Sequence, residues 1–231
     1  MIELDRIPAT DDPLLVWAAQ DMRPGVRAWA LGDAVAVACP DLARRDRVAV
    51  RGDAATLGEL LRRIRPEVGG WFAVGDEELI ARIPGLAPVG TFGWMDTGGP
   101  VRPEGPLDPL EELTDDAEVA AFLDEHHPHT FAYPGGTGVS RWVGLRDPGG
   151  RLLAVAADAW SAADVALVAG VATRTDVRGR GLGRRICAAL TADLSAGKRT
   201  VGLLVDVDNT PAVRTYERLG YRMRRVSAAP V

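Results

Sequence analysis

Arg178-Gly179-Arg180-Gly181-Leu182-Gly183 is the stretch of this 231-residue sequence that decides the fold. The apolar run Val165–Thr173 before it predicts a buried strand. Leucine and isoleucine then recur every fourth residue, at positions 182, 186, 190 and 194, which predicts an amphipathic helix. The glycines allow a tight turn and a close approach of the backbone to a ligand. Because a helix start offers unpaired N–H groups and a positive dipole end, this stretch predicts a phosphate-binding loop.

The charges and the glycine spacing of this loop narrow the kind of phosphate site. Arg178, Arg180, Arg184 and Arg185 crowd one helix start, where cations oppose the dipole unless a phosphate neutralises them. No Lys-Ser or Lys-Thr pair follows at Walker spacing, which argues against a nucleoside triphosphatase. The evenly spaced glycines do not fit the dinucleotide fingerprint G-x-G-x-x-G, and Asp206 is a poor match for its acidic residue. The pattern indicates a pyrophosphate ligand.

Two motifs together resemble one known family. Arg178-x-x-Gly181-x-Gly183 resembles the acyl-coenzyme A loop of the GNAT acetyltransferase superfamily. The segment 206–221 resembles that family's N-x-x-A-x-x-x-Y-x-x-L-G-[FY] sequence, with Asn209, Ala212 and Tyr216 at the first three motif positions. The combined likeness covers residues 140–222.

The second motif also has a physical interpretation. Residues 200–206 predict a strand, Thr210 predicts a helix N-cap, Pro211 suits the first helical position and Gly220 suits the C-terminal stop. Ala212 and Tyr216 then lie one turn apart on one helix face, which leaves room for a thin chain such as pantetheine beside the phenol. Taken alone, Tyr216 fits a half-buried core tyrosine better than a site residue, and the nearby phosphate loop reverses this preference.

The resemblance implies direct acyl transfer from acetyl-CoA to an amine. It assigns Tyr216 as the catalytic residue, a general acid for the leaving thiolate. It places Asn209 on the pantetheine arm, backbone N–H groups of residues 177–184 on the pyrophosphate, and an oxyanion-binding N–H at the end of the Val165–Thr173 strand. The expected donor-binding residues are Val171, Ala172, Thr173, Arg178, Gly179, Arg180, Gly181, Leu182, Gly183, Arg184, Asn209, Ala212 and Tyr216.

The general base is not identified by the sequence, because the strand Val165–Thr173 contains no acid. The candidates are Asp206, Asp208, Asp158 and the cluster His126-His127-Pro128-His129, besides water acting on a neutral amine. No metal site is expected, since no cysteine or partnering histidine lies at structural-site spacing. Two functions stay open. The first is an N-acyltransferase, expected to be an N-acetyltransferase that acts on a small molecule or amino acid. The second is a non-catalytic acyl-CoA-binding regulatory module.

Composition excludes several other classes. Hydrophobic residues make up 47% and charged residues 26%, as in ordinary globular proteins, and a net charge of −5 argues against a nucleic-acid partner. Charged residues interrupt the N-terminus, and no apolar run is long enough to span a membrane, so we expect a cytoplasmic protein without a membrane partner. Cys39 and Cys187 do not form a disulfide framework. Association into a homodimer is left open.

The predicted fold class is α/β, a central mixed sheet flanked by helices, in a tandem GNAT-like layout. A Pro/Gly-rich linker at 99–106 separates a domain at 1–98 from a catalytic domain at 107–231. The first domain repeats the order of elements as a degenerate copy, because Val50-Arg51-Gly52-Asp53 places an aspartate where a pyrophosphate would lie. The layout resembles the glycine N-acyltransferase-like branch of the superfamily.

The end of the chain leaves room for one final strand, predicted at 221–226 by its alternating apolar and basic residues. A bare strand edge invites aggregation, so we expect the strand around residues 91–95 to pair with or pack against that edge. The acceptor pocket is then expected in the cleft between the halves, with Trp29 or Trp94 near it.

Overall fold

The same nine elements follow each other twice along the chain, which the computed structural model describes over residues 1–101, 106–197 and 200–231. The first run comprises β1 Ile2–Leu4, α1 Pro13–Ala19, β2 Arg27–Leu31, β3 Ala34–Cys39, β4 Arg47–Arg51, α2 Ala54–Val68, β5 Phe72–Asp76, α3 Glu77–Arg82 and β6 Gly90–Asp96. The second comprises β7 Glu111–Leu113, α4 Asp116–His126, β8 Val139–Arg146, β9 Leu152–Ala159, β10 Val165–Thr173, α5 Leu182–Gly197, β11 Thr200–Val205, α6 Thr210–Glu217 and β12 Arg222–Pro230. Two 3-10 turns, Gln20–Met22 and Thr175–Val177, are additional.

All twelve strands form one mixed sheet, in the order β1-β2-β3-β4-β5-β12-β6-β11-β10-β9-β8-β7. In each run the first four strands are antiparallel, and the fifth pairs in parallel with the fourth. The prediction of a mixed α/β sheet flanked by helices is confirmed. The repeated order supports the tandem interpretation, which stays a prediction together with its boundaries at 1–98 and 107–231. Residues 102–105 of the predicted linker lie outside the described residues.

The two runs exchange their last strands. β12 leaves its own run to lie between β5 and β6, where Ala228 pairs with Val74 on one side and Met223 with Met95 on the other. β6 in turn lies against β11, with Leu204 opposite Trp94. The expectation that the strand around residues 91–95 pairs with the final strand is confirmed. The final strand is longer than predicted, because it continues to Pro230 along β5.

Strand alternation places one shared core on one face of the sheet and two separate cores on the other. The shared core contains residues of α1 and α4, with the Trp17 and Trp94 rings 5.3 Å apart. On the opposite face, α2 and α3 cover the first run, and α5 and α6 cover the second. Trp29 and Trp94 are 2% and 0% exposed. Both fill cores and neither lines an open pocket, although one of them was expected near the acceptor pocket. No helix in the described part of the chain has the length and apolarity needed to span a bilayer.

Side-chain caps fix most of the helix starts. Asp53 accepts the Thr56 N–H at 2.9 Å, and Asp115 accepts the Ala117 N–H at 2.9 Å. The predicted cap at Thr210 is wrong. Asn209 holds that position and its Oδ1 accepts the Ala212 N–H at 3.3 Å, because only a residue outside the first turn can turn its side chain back onto the free N–H groups.

The strand exchange makes the halves depend on each other. We expect the fragment 105–231 alone to be insoluble or unfolded, since β11 would lose β6 and β12 would lose both of its neighbours. Co-expression with the fragment 1–104 restores every strand pair and should restore a soluble, folded complex. Size-exclusion chromatography and circular dichroism of both samples check this. A folded, soluble fragment 105–231 would show that the exchange is dispensable.

Candidate active site

A gap opens in the sheet where β10 separates from β11. The two strands pair in parallel from Val165 opposite Thr200 to Val168 opposite Leu203, and their ladder ends there. On its other edge β10 carries a bulge, because its register against β9 shifts between Ala169 and Ala172. The backbone of β10 beyond Val168 is therefore free of β11. This gap can receive a thin ligand, and N–H groups along it can donate to the ligand's carbonyl.

Gly170 allows the bulge. It has a φ of +60°, and a Cβ at this position would stand 2.4 Å from Cη2 of Trp142, a buried ring of β8. No larger residue fits between the strand and this ring without moving one of them. The glycine thus fixes where β10 bends away from β11.

We expect Gly170→Ala to lower the free energy of unfolding by about 1–3 kcal/mol, through the clash and the left-handed backbone. Gly179→Ala is the matched control, because its φ is +77° but a Cβ there meets nothing within 4 Å. The free energy of unfolding of the control should fall only by the part that is due to the left-handed backbone. Denaturant unfolding of both variants measures the difference, and equal losses would show that the Trp142 contact is unimportant.

The predicted phosphate loop lies between β10 and α5. Gly179 and Gly181 take left-handed φ values of +77° and +76°. The first helical bond runs from the Arg185 N–H to the Gly181 carbonyl at 3.0 Å, so the preceding N–H groups of the first turn have no intrahelical acceptor. A Cβ at either left-handed glycine would meet no atom within 4 Å, which leaves open space over these N–H groups. The geometry suits a bound anion.

The four arginines of the loop divide into two pairs. Arg178 is held by backbone carbonyls, with Nη2 donating to His126 O at 2.7 Å and Nε donating to Thr173 O at 3.2 Å. Arg185 pairs with Asp108, with 2.8 Å between Nε and Oδ2. Arg180 and Arg184 are exposed and form no ion pair with any described residue. These two guanidinium groups are the ones free to meet a phosphate.

The corresponding helix of the first run shows what a closed helix start looks like. The Asp53 carboxylate caps α2, and hydrogen bonds from the Thr56 N–H and hydroxyl are the main cause of its lowered pKa. The Asp53 N–H itself donates to Asp33 Oδ2 at 3.2 Å. Two carboxylates thus occupy the position that an anionic ligand would need. Of these two helices only α5, with Gly181 at the equivalent place, offers an open start.

Asn209 caps α6, and Ala212 and Tyr216 lie on this helix, which packs against α5. The Tyr216 ring is half-buried beside Tyr221, with ring centroids 5.9 Å apart. Burial is the main cause that raises the pKa of Tyr216 well above its usual value, so the phenol stays protonated. Its hydroxyl makes no hydrogen bond within residues 1–101, 106–197 and 200–231, whereas the Tyr221 hydroxyl is 2.7 Å from Thr191 Oγ1. Tyr216 is therefore an available proton donor.

The candidate bases lie in three different places. Asp206 and Asp208 are exposed just after β11, at the mouth of the gap. Asp158 accepts a hydrogen bond from Ser161 and pairs with Val168 in the ladder before the gap begins.

The histidines lie at the end of α4. His126 is buried against Phe122, with its Nδ1 3.1 Å from Thr175 Oγ1, which indicates a structural role. Burial lowers the pKa of the half-buried His127, with smaller effects from Arg178 and His129, so that its imidazole is neutral at pH 7. Among the described residues, no three His, Cys, Asp or Glu side chains converge as metal ligands.

A cavity lies in the cleft between the two runs. It has a volume of about 490 Å³ and is lined by Asp41 and Arg44 from the first run, and by Phe131, Tyr133, Thr137 and Trp160 from the second. The sequence predicted an acceptor pocket in this cleft with Trp29 or Trp94 near it, but the aromatic residues that line the cavity are Phe131, Tyr133 and Trp160. The paired aromatics at 131 and 133, in a loop rich in glycine and proline, were the available signal.

Comparison with known proteins agrees with this geometry. The FR47-like protein family model matches residues 143–228, and no curated protein matches the chain. A GCN5-related N-acetyltransferase from Kribbella flavida superposes with a TM-score of 0.62 at 20% identity, over 94% of this chain and 95% of its own. A GNAT-family protein from Novosphingobium aromaticivorans superposes with a TM-score of 0.60 at 23% identity, over 95% of this chain and 96% of its own.

The chain has the GNAT acetyltransferase fold. The resemblance to the GNAT superfamily predicted from the sequence is thus confirmed. The GNAT-family acetyltransferase from Colwellia psychrerythraea, with a TM-score of 0.55 at 12% identity, covers 100% of both chains. The likeness in fold therefore extends well beyond residues 143–228 and includes the first run.

A charged residue at Gly181 should close the phosphate loop as Asp53 closes α2. We expect Gly181→Asp to weaken binding of coenzyme A at least about tenfold, because its carboxylate repels the phosphates at the helix start. Gly181→Asn is the matched control, since asparagine has the same shape and tolerates the left-handed backbone. Titration calorimetry compares the two, and equal affinities would contradict the assignment of the loop.

Proposed function

We propose that the protein is an acyl-CoA-dependent N-acyltransferase that moves an acetyl group from acetyl-CoA directly to a primary amine. One observation carries the proposal: the open start of α5 follows the unpaired end of β10, and the free Tyr216 hydroxyl belongs to α6, which packs against α5. The first accounts for the diphosphate of the donor, the second for its pantetheine arm and the third for its leaving sulfur.

In this proposal the donor extends from the start of α5 through the gap between β10 and β11 to Tyr216. The pyrophosphate accepts hydrogen bonds from backbone N–H groups of residues 177–184 and meets the free guanidinium groups of Arg180 and Arg184. Pantetheine runs through the gap, along the β10 residues Val171, Ala172 and Thr173. Ala212 and Asn209 then contact the other side of the pantetheine. The side-chain amide of Asn209 can donate its N–H groups, because only its Oδ1 is used in capping α6.

The reaction needs no covalent enzyme intermediate. The neutral amine attacks the thioester carbonyl, a C–N bond forms, and an N–H group of β10 beyond Val168 stabilises the oxyanion. The tetrahedral intermediate then breaks its C–S bond, and the departing sulfur takes the proton of Tyr216. The amine gives up one proton to water, and Tyr216 is reprotonated from solvent. The products are one amide and one coenzyme A thiol.

A second candidate is a non-catalytic acyl-CoA-binding module. The observation in its favour is that β10 carries no acidic side chain to act as base. It requires the same donor site but no acceptor and no role for the Tyr216 hydroxyl. Thiol release from acetyl-CoA with a panel of primary amines, read beside coenzyme A binding, separates the two functions.

Tyr216→Phe removes only the proposed proton donor. We expect kcat to fall about 10²–10⁴-fold while the affinity for acetyl-CoA holds, because the ring and its packing remain. The raised pKa of Tyr216 also means that its deprotonation should cause no loss of rate up to pH 10 in the parent protein. Thiol release followed from pH 6 to 10 measures both.

Tyr221→Phe is the control for this experiment. Its hydroxyl is tied to Thr191 inside the core, so the change should lower stability rather than turnover. If Tyr216→Phe turns over as fast as the parent, Tyr216 is a packing residue and the proton comes from water. If no amine yields thiol release with the parent protein although coenzyme A binds, the binding module is the better description.

A further inference from the structure

We propose that the cavity between the two runs binds the acceptor, and that the acceptor is an amine carrying a carboxylate and an aromatic or bulky apolar body. This inference rests on the proposed function and names the substrate class of that site. It is argued from the lining of the cavity, its charges, the conformation of its loop and its position beside the bulge of β10.

Aromatic rings form the apolar part of the cavity. Phe131 is 55% and Tyr133 37% exposed, and both are unusual among the large apolar side chains in being so accessible. The Tyr133 hydroxyl donates to Asp124 Oδ1 at 3.1 Å, which holds the ring in place. Trp160 is 5% exposed and closes the inner wall. An aromatic or branched body fits such a surface.

The charges of the first run favour an anion. Residues 41–47 contain Arg44, Arg45 and Arg47 against Asp41 and Asp46, and none of the three arginines forms an ion pair with any described residue. Asp46 Oδ1 accepts the Asp41 N–H, so one acid serves the loop itself. Arg44 and Asp41 both line the cavity, and no ion pair joins these two side chains. A guanidinium without a protein carboxylate is suited to bind the carboxylate of a ligand.

Arg47 adds positive potential beneath this loop. Its Nε donates to the Leu42 carbonyl at 2.8 Å, and its guanidinium lies 5.8 Å from the Phe92 ring centroid. Burial, followed by the nearby Arg45 charge, lowers the pKa of Arg47 to about 10. The cation is partly desolvated and lacks a counterion among the described residues, so it adds positive potential to the loop that carries Arg44.

The loop that presents Arg44 is held in an uncommon conformation. Asp41, Ala43 and Arg44 have φ values of +50°, +50° and +60°, in the left-handed region that non-glycine residues rarely adopt. Two hydrogen bonds between the backbones of Leu42 and Arg45, at 2.9 and 3.3 Å, close the turn. Such strain persists where the surrounding structure fixes it, and the turn thus holds the backbone of Arg44 in one conformation before a ligand arrives.

The cavity adjoins the proposed reaction centre through its own wall. Phe131 and Tyr133 flank Ala132, whose Cβ lies 3.2 Å from where a Cβ on Gly170 would stand. Gly170 is the bulged residue at the gap between β10 and β11. A ligand with its body against these two rings can therefore direct an amine toward the thioester while its carboxylate points to Arg44.

Three probes of graded structure test the proposal. L-phenylalanine carries all three features, phenethylamine lacks the carboxylate, and glycine lacks the aromatic body. We expect acetyl-CoA-dependent thiol release to have the lowest KM with L-phenylalanine. Arg44→Gln should raise that KM about tenfold or more and leave the KM for phenethylamine unchanged. Arg62→Gln is the control, because Arg62 is an exposed arginine of α2, on the opposite face of the sheet.

Direct binding separates failure of this inference from failure of the proposed function. Calorimetry of L-phenylalanine with the full chain, with and without Arg44→Gln, reports the site without the reaction. If simple amines release thiol but L-phenylalanine neither binds nor reacts better, the acceptor class is wrong and acyl transfer stands. If L-phenylalanine binds through Arg44 but no amine releases thiol, the site stands and the transferase proposal falls. Equal KM values in the parent and Arg44→Gln overturn the role of Arg44.

Discussion

The separation of β10 from β11 after Val168 is the constraint on which the rest of the site depends. Gly170 allows the bulge that follows, beside the buried Trp142 ring. β10 then continues without β11 to Thr173 and leads into the phosphate loop before α5. α5 packs on β10 and on α6, the helix that carries Tyr216. In the proposed function, this one local departure from regular pairing provides the path for the long, thin donor.

The exchanged strands give the opposite edge of the gap its rigidity. β11 is supported by β6 of the other run, and β6 and β12 are each held on both sides. Trp94 on β6 packs against Trp17, whose Nε1 donates to the Trp160 carbonyl at 2.8 Å. The shared core therefore links the first run to the wall of the cavity. In this arrangement the first run contributes support and one loop, residues 41–47, and the phosphate loop belongs to the second run.

The two runs use similar backbones for different electrostatics. Asp53 at the start of α2 supplies a carboxylate where Gly181 at the start of α5 supplies none. Tyr216 and Tyr221 show a similar contrast within one run. Burial keeps both phenols protonated, but Thr191 satisfies the Tyr221 hydroxyl, whereas the Tyr216 hydroxyl is free. Function in this fold depends on which polar groups the protein leaves unsatisfied, since those are the groups a ligand can meet.

The sequence by itself determined the elements and the position of both motifs, because apolar periodicity, caps and glycines act over a few residues: β10, α5, β11 and α6 lie where residues 165–217 predict them. It also determined that Asp53 blocks the first run. Only the tertiary structure decided that β12 continues along β5, that Asn209 rather than Thr210 caps α6, and that Arg180 and Arg184 are the free cations while Arg178 and Arg185 are held. Each of these depends on a partner distant in sequence or on the geometry of one turn. The cavity at Arg44 and Phe131 is of the same kind, since its two walls are more than eighty residues apart in the chain and meet only when the sheet is complete.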